Sequence, residues 1–145
     1  RLREAHPNIN CIKEAGGSCD RVDQLIQSLG ESITILSGDD GFTLPFMAVG
    51  AKGVISVASN LYPGEICEMV HAFASSDCET ALKLHRRFYP LFKALFCEPN
   101  PVPIKNAMHH LGTISEPDVR RPLCEMAPVN RETLMSAIET VGLPV

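Results

Sequence analysis

The sequence predicts an α/β fold made of repeated strand–helix units on a parallel sheet. Three short apolar segments are each followed by a segment with helical periodicity. They begin roughly 20–25 residues apart, which is the spacing of βα units. Each apolar segment is a continuous run, as expected for strands that are covered on both faces. The pattern after the third unit is helical.

Each predicted strand ends at a loop of glycine or small polar residues. The first strand contains Ile9, Cys11 and Ile12, whose β-branched and small apolar character predicts a buried strand with Lys13 at its end. Parallel βα units place functional groups at these C-terminal ends. The predicted strands are 9–13, 33–37 and 54–58, and the loops that stop them are 16–18, 38–41 and 59–60.

Capped helical patterns account for most of the remaining chain. Ser18 or Asp20 can cap a helix with one apolar face, which Gly30 ends. Asn130 is the predicted N-cap of the last helix, which ends at Gly142. Residues 1–5 resemble the last turn of a helix, 98–103 form a stiff proline-rich connector, and further helices are predicted at about 42–49, from 63, at about 78–96 and from the connector to 111.

We divide the chain into residues 1–77, which hold the three βα units, and residues 78–145, a helical region. The 145 residues include 45% apolar and 21% charged residues, with a net charge of −4. This composition is typical of a soluble globular protein, and without a basic run it argues against nucleic-acid binding. No apolar stretch approaches a membrane span, and residues 1–5 do not form a signal peptide.

The six cysteines are scattered, and no pair has C-x-x-C spacing. We expect free thiols in a reducing cytoplasm, several of them packed as small hydrophobic residues. We expect neither a metal nor a cofactor, because the cysteine and histidine spacing does not fit a zinc site and no phosphate-loop pattern is present. The cysteines are Cys11, Cys19, Cys67, Cys78, Cys97 and Cys124.

Lys13 is the candidate nucleophile. An ammonium at the end of a buried strand is costly to desolvate, and the cost falls if the amine is neutral. A neutral amine attacks a carbonyl carbon to form a Schiff base. From this stretch alone, a lysine that extends to water or pairs with Glu14 remains the alternative.

The other strand ends suit a small oxo-acid. They offer N–H and hydroxyl donors for its carboxylate beside the amine that would condense with its keto carbon. Asp39 and Asp40 could equally cap the following helix, and the glycine turns could cradle phosphate. His109 and His110 are interpreted as surface residues.

Four motifs resemble those of the dihydrodipicolinate synthase family, in the same order and spacing, over essentially the whole chain. The first is shared with related pyruvate lyases such as N-acetylneuraminate lyase, and Glu-Pro-Asn-Pro favours the synthases. The motifs are Ile12-Lys13-Glu14-Ala15, Leu36-Ser37-Gly38-Asp39-Asp40, Gly53-Val54-Ile55-Ser56-Val57 and Glu98-Pro99-Asn100-Pro101-Val102-Pro103-Ile104-Lys105.

The resemblance implies a (β/α)8 TIM barrel, represented here by about the last three βα units and the C-terminal helices. It implies a cytoplasmic homotetramer that condenses pyruvate with aspartate semialdehyde in lysine and diaminopimelate biosynthesis. Lys13 would form the imine, the carbonyl of Ile55 would lie against pyruvate, Gly38 and Asp39 would border the semialdehyde, and Asn100 would contribute more weakly.

The sequence departs from the family mainly by what it lacks. The family's proton-relay tyrosine, threonine pair and semialdehyde-binding arginine belong to the N-terminal half of the barrel, and Tyr62 and Tyr89 match none of them. Residues 56–60 and 120–123 also differ slightly from the sequence that is usual in the family at those positions. Two alternatives therefore remain: another pyruvate-dependent aldolase or lyase, or an inactive half-barrel that only associates.

Overall fold

Short strands and helices alternate in the first half of the chain, and longer helices follow. The computed structural model describes residues 2–142. The elements are α1 (Leu2–Ala5), β1 (Cys11–Glu14), α2 (Cys19–Leu29), β2 (Thr34–Ser37), α3 (Thr43–Ala48), α4 (Pro63–Ala74), α5 (Cys78–Ala94), α6 (Val102–His110) and α7 (Pro128–Val141), with 3-10 turns at Gly30–Ser32, Asp40–Phe42 and Ala58–Asn60.

β1 and β2 form a parallel pair in which Lys13 lies opposite Leu36. The predicted third strand is wrong in extent, because only Val54 forms a parallel bridge, to Ser37. A buried carboxylate at Asp40 accepts the N–H groups of Val57 and Ala58. Those amides therefore cannot join a sheet ladder, and the segment continues as a 3-10 turn.

The predicted burial of the first strand is also wrong. Cys11 and Lys13 are exposed, and Ile12 and Glu14 are half-buried. β2 covers one edge of β1, while the other edge has no strand beside it within residues 2–142. An unpaired edge presents free backbone groups that can pair with another strand.

Helix caps decide several boundaries that the sequence left open. Ser18, rather than Asp20, caps α2 by accepting the N–H of Arg21 at 3.3 Å. Gly30 ends α2 with φ at +58°, a conformation that glycine adopts at low cost. The turn predicted at residues 1–5 is present as α1, and Arg1 lies outside the described residues.

The predicted N-cap at Asn130 is wrong, because α7 begins two residues earlier, at Pro128. Proline is well suited to the first helical position, where its missing N–H is not needed. The carboxylate of Glu98 accepts the N–H of Ala127 at 2.9 Å and the side-chain amide of Asn130 at 2.8 Å. A residue distant in sequence therefore caps α7.

Replacing Glu98 with alanine is expected to lower the free energy of unfolding by about 1–2 kcal/mol, because the start of α7 loses two hydrogen bonds and a favourable charge. Urea denaturation, monitored by circular dichroism, measures the change in the free energy of unfolding. Glu132→Ala, an exposed position in α7, is the matched control and should change stability by less than about 0.5 kcal/mol. Equal effects would contradict the capping role.

Two hydrophobic clusters lie inside the molecule. The larger one joins α3 to α4, α5, α6 and α7, and the smaller one consists of Val22, Leu25, Ile35, Phe46 and Ala51. The larger cluster crosses residue 77, and the division into two domains there stays a prediction. None of the helices described has the length and apolar character that crossing a membrane requires.

The end of α7 is tied to this larger cluster. The hydroxyl of Tyr62 donates to the carbonyl of Gly142 at 2.9 Å. The guanidinium of Arg87 donates to the carbonyl of Val141 at 2.6 and 3.1 Å. Carbonyls at a helix end lack partners within the helix, so these contacts fix the last turn of α7 against α4 and α5.

Candidate active site

Lys13 shares a cavity of about 350 Å³ with Ile55 and Asn100, two other residues that the sequence predicts to bind substrate. The cavity lies where the end of β1 and the segment 54–57, which bridges to Ser37 through Val54, meet the start of α6. Its lining contains lysine, hydroxyl and amide groups and no carboxylate. The lining residues are Lys13, Ile55, Ser56, Val57, Asn60, Asn100, Pro101, Ile104, Lys105 and Met108.

The carboxylate of Glu14, one of the two alternatives for Lys13, has other partners, while the other alternative, extension toward water, is consistent with the exposure of Lys13. The carboxylate of Glu14 accepts the N–H of Gly16 at 2.7 Å and lies 3.7 Å from the guanidinium of Arg21. Neighbouring side chains on a strand point to opposite faces, which separates Glu14 from Lys13. Lys13 itself lines the cavity.

Gly38 lies directly against Lys13. A Cβ atom at this position would lie 2.9 Å from Cε of Lys13 and 2.7 Å from Cβ of Ala15. Both separations are shorter than carbon atoms tolerate without a shift in the structure. The absence of a side chain at Gly38 is therefore what lets the lysine side chain pass the end of β2.

Asp39 lies beside this contact but does not line the cavity. Its carboxylate accepts the N–H of Gly41 at 2.8 Å and caps the 3-10 turn that follows. The capping interpretation of Asp39 therefore describes its contact in this chain. Its role at the semialdehyde site stays a prediction.

Asp40 is a site residue that the sequence interpretation left as a possible helix cap. It is 1% exposed. One carboxylate oxygen accepts the hydroxyl of Ser56, and the other accepts the N–H groups of Val57 at 3.0 Å and Ala58 at 3.2 Å. Burial raises the pKa of Asp40 above its usual range, and the hydrogen bonds from Ser56, Ala58 and Val57 oppose that rise.

Backbone hydrogen bonds join the three segment ends. The N–H of Gly38 donates to the carbonyl of Glu14 at 2.7 Å. The N–H of Ser37 donates to the carbonyl of Gly53, and the N–H of Ile55 donates to the carbonyl of Ser37, both at 2.8 Å. The ends that carry Lys13, Gly38 and Ile55 are therefore held in a fixed relation.

Lys105 adds a second lysine side chain to the cavity, which the sequence interpretation did not include. It lies on α6 and donates a hydrogen bond to the carbonyl of Asp118. Its position after Asn100 within one proline-rich motif was the available signal. The Lys105 side chain, with the hydroxyl and amide groups, can bind a small anion, while the amine of Lys13 can act as a nucleophile toward the carbonyl carbon of that anion.

The cysteines and the paired histidines lie apart from this cavity. All six thiols are free, as the sequence predicts. Five are exposed and Cys19 is intermediate, so the prediction that several pack as buried hydrophobic residues is wrong. His109 and His110 are exposed, in agreement with their assignment to the surface.

Comparisons with known proteins identify one family to which nearly the whole chain is similar. Residues 1–141 match the model of the dihydrodipicolinate synthetase family. The 4-hydroxy-tetrahydrodipicolinate synthase of Persephonella marina is 46% identical over 143 residues, which are 99% of this chain and 49% of that protein. The corresponding synthase of Aquifex aeolicus is 44% identical over 145 residues, covering 100% and 49% of the two chains.

Solved structures of dihydrodipicolinate synthases are also similar to this chain. The crystal structure of dihydrodipicolinate synthase from Aquifex aeolicus superposes with a TM-score of 0.92 at 43% identity, covering 99% of this chain and 49% of that one. The enzyme from Methylacidiphilum fumariolicum SolV gives 0.93 at 45% identity, covering 97% and 47%. The chain thus spans about half the length of the relatives it matches, and the predicted fold class, part of a TIM barrel with C-terminal helices, is confirmed.

Proposed function

The chain belongs to the dihydrodipicolinate synthetase family, and from that premise we propose that it carries the Schiff-base half of a 4-hydroxy-tetrahydrodipicolinate synthase site. The observation that carries the proposal is the cavity in which Lys13 meets Ile55 and Asn100, with Gly38 packed against the lysine. The substrates would be pyruvate and aspartate 4-semialdehyde. The pathway would be lysine and diaminopimelate biosynthesis in the cytoplasm.

The proposed reaction begins when the neutral amine of Lys13 attacks the keto carbon of pyruvate and water leaves. The resulting imine loses a proton from its methyl carbon to become an enamine. The enamine carbon then attacks the aldehyde of aspartate semialdehyde. The amino group of that substrate displaces Lys13 from the former keto carbon, which closes the ring and regenerates the lysine.

The residues around Lys13 favour an anionic keto acid. Asn100, Asn60 and Ser56 supply amide and hydroxyl groups, and Lys105 supplies positive charge. Because the lining contains no carboxylate, nothing in it repels the carboxylate of pyruvate. The roles of Ile55, Gly38, Asp39 and Asn100 follow the family resemblance and belong to this proposal.

We further propose that a complementary half of the barrel completes the site, within a homotetramer. The unpaired edge of β1 supports this, because it can accept a neighbouring strand. The relatives are about twice as long as this chain, which is consistent with additional barrel strands. Groups that relay protons and bind the semialdehyde would come from that half.

Reductive trapping tests the proposal. The chain is incubated with pyruvate and borohydride, alone and with the N-terminal half of a synthase of the family produced separately, and peptides are mapped by mass spectrometry. A reduced pyruvate adduct on the peptide that contains Lys13 is expected, while the exposed Lys52 remains unmodified. No adduct in either mixture would refute the Schiff-base role. Turnover of aspartate semialdehyde, against cleavage of a sialic acid, then separates synthase from lyase.

A further inference from the structure

Asp40 connects the loop after β2 to the segment that follows Ile55. These two parts of the chain are 16 to 18 residues apart in sequence, and this carboxylate's hydrogen bonds and the backbone bridge at Ser37 join them. Although Asp40 does not line the cavity, two of its partners, Ser56 and Val57, do. Its buried side chain therefore sets the position of part of the cavity wall.

The peptide unit between Ile55 and Ser56 is fixed on both sides. The N–H of Ile55 donates to the carbonyl of Ser37 at 2.8 Å. The hydroxyl of Ser56 donates to the carboxylate of Asp40 and accepts the N–H of Ser59 at 2.8 Å. The direction of the Ile55 carbonyl depends on the torsion angles on either side of this planar unit, so the two anchors restrict its rotation.

We propose that Asp40 is a positioning residue that holds the carbonyl of Ile55 and the 56–58 turn in place at the cavity that contains Lys13. This inference rests on the proposed function, in which that carbonyl lies against bound pyruvate. A dipole fixed before the substrate arrives requires no rearrangement during the reaction. A free loop would have to be ordered at each binding event.

Few other residues could replace Asp40, because its buried carboxylate accepts hydrogen bonds from three donors. Alanine at position 40 would leave the two amides and the Ser56 hydroxyl without their acceptor. Asparagine keeps one oxygen for the amides of Val57 and Ala58, and its NH2 group can donate to the oxygen of Ser56. The pair Asp40→Ala and Asp40→Asn therefore separates loss of the hydrogen bonds from loss of charge.

The experiment measures amide hydrogen exchange at Val57 and Ala58 and the rate constant of borohydride trapping at Lys13, in the 145-residue chain under the conditions in which it traps pyruvate. Asp77→Ala is the control, because it removes an aspartate cap from the start of α5, remote from the cavity. If a variant loses folded protein, the final amount of pyruvate adduct at Lys13 falls. If the protein stays folded but the cavity wall is displaced, the rate constant of trapping falls and the final amount of adduct is unchanged.

Asp40→Ala is expected to accelerate exchange at both amides at least about 10-fold and to slow trapping about 10- to 100-fold. Asp40→Asn should trap within about threefold of wild type, and Asp77→Ala should leave both measurements unchanged. The proposal is overturned if Asp40→Ala traps at the wild-type rate, or if its Val57 and Ala58 amides stay protected. If the wild-type chain forms no adduct even with the N-terminal half of a family synthase added, the proposed chemistry is refuted, and the exchange measurements still decide the positioning.

Discussion

Replacing Lys13 with arginine is expected to reduce pyruvate trapping by at least about a thousandfold. A guanidinium keeps its proton under all ordinary conditions and cannot provide the neutral nitrogen that an imine requires. Lys13→Ala should give the same loss. The assay is borohydride trapping with pyruvate, followed by quantification of the modified peptide, with the complementary half present if the isolated chain does not react.

The fold should survive both substitutions. Lys13 is exposed at the end of β1, and exposed substitutions generally change the free energy of unfolding by less than about 0.5 kcal/mol. Lys52→Arg is the matched control, because Lys52 is exposed and lies outside the cavity. Trapping above about one thousandth of the wild-type rate in Lys13→Arg would remove Lys13 from the role of nucleophile.

Gly38→Ala is expected to slow trapping by about 10- to 100-fold, the effect of roughly 1–3 kcal/mol of overpacking. The new methyl group would overlap Cβ of Ala15 and Cε of Lys13. The flexible Lys13 side chain can rotate away from the new methyl group, whereas the closer overlap, with the Ala15 methyl, is relieved only if the backbone at the ends of β1 and β2 shifts. The amine would move away from its position in the cavity.

Gly64→Ala provides the control for this substitution. Gly64 lies in α4, and a Cβ atom there would meet no heavy atom within 4 Å. Alanine should preserve the trapping rate and stabilise the chain by up to about 1 kcal/mol, because it favours the helix. Wild-type trapping in Gly38→Ala would show that the contact between residue 38 and Lys13 does not set the position of the nucleophile.

The sequence predicted those parts of the site that depend on residues close together in the chain. The end of β1, the glycine loop after β2 and the helices with regular apolar faces are all set by local patterns. Lys13 could be identified in this way. The family motifs added Gly38, which packs against Lys13, and Ile55 and Asn100, which share the cavity with it.

The features that sequence reasoning missed depend on contacts between distant residues. Asn130 has the chemistry of a helix cap, yet Glu98, 32 residues earlier, provides the acceptor at the start of α7. The segment 54–58 has the composition of a strand, yet the carboxylate of Asp40 takes two of its amides. Local propensity cannot account for an acceptor that only the tertiary fold brings near.

The unequal size of the two hydrophobic clusters has a consequence for the order in which parts of the chain open. The smaller cluster has five buried hydrophobic residues, whereas the larger one, which includes residues of α3 to α7, has 23. Ile12 of β1 packs against the smaller cluster. Because regions with fewer buried contacts open more readily, we expect the strand that carries Lys13 to open before the helices of the larger cluster. A strand paired with the open edge of β1 would add contacts to this region. We therefore expect borohydride trapping at Lys13 to become faster as the concentration of an added N-terminal half is raised.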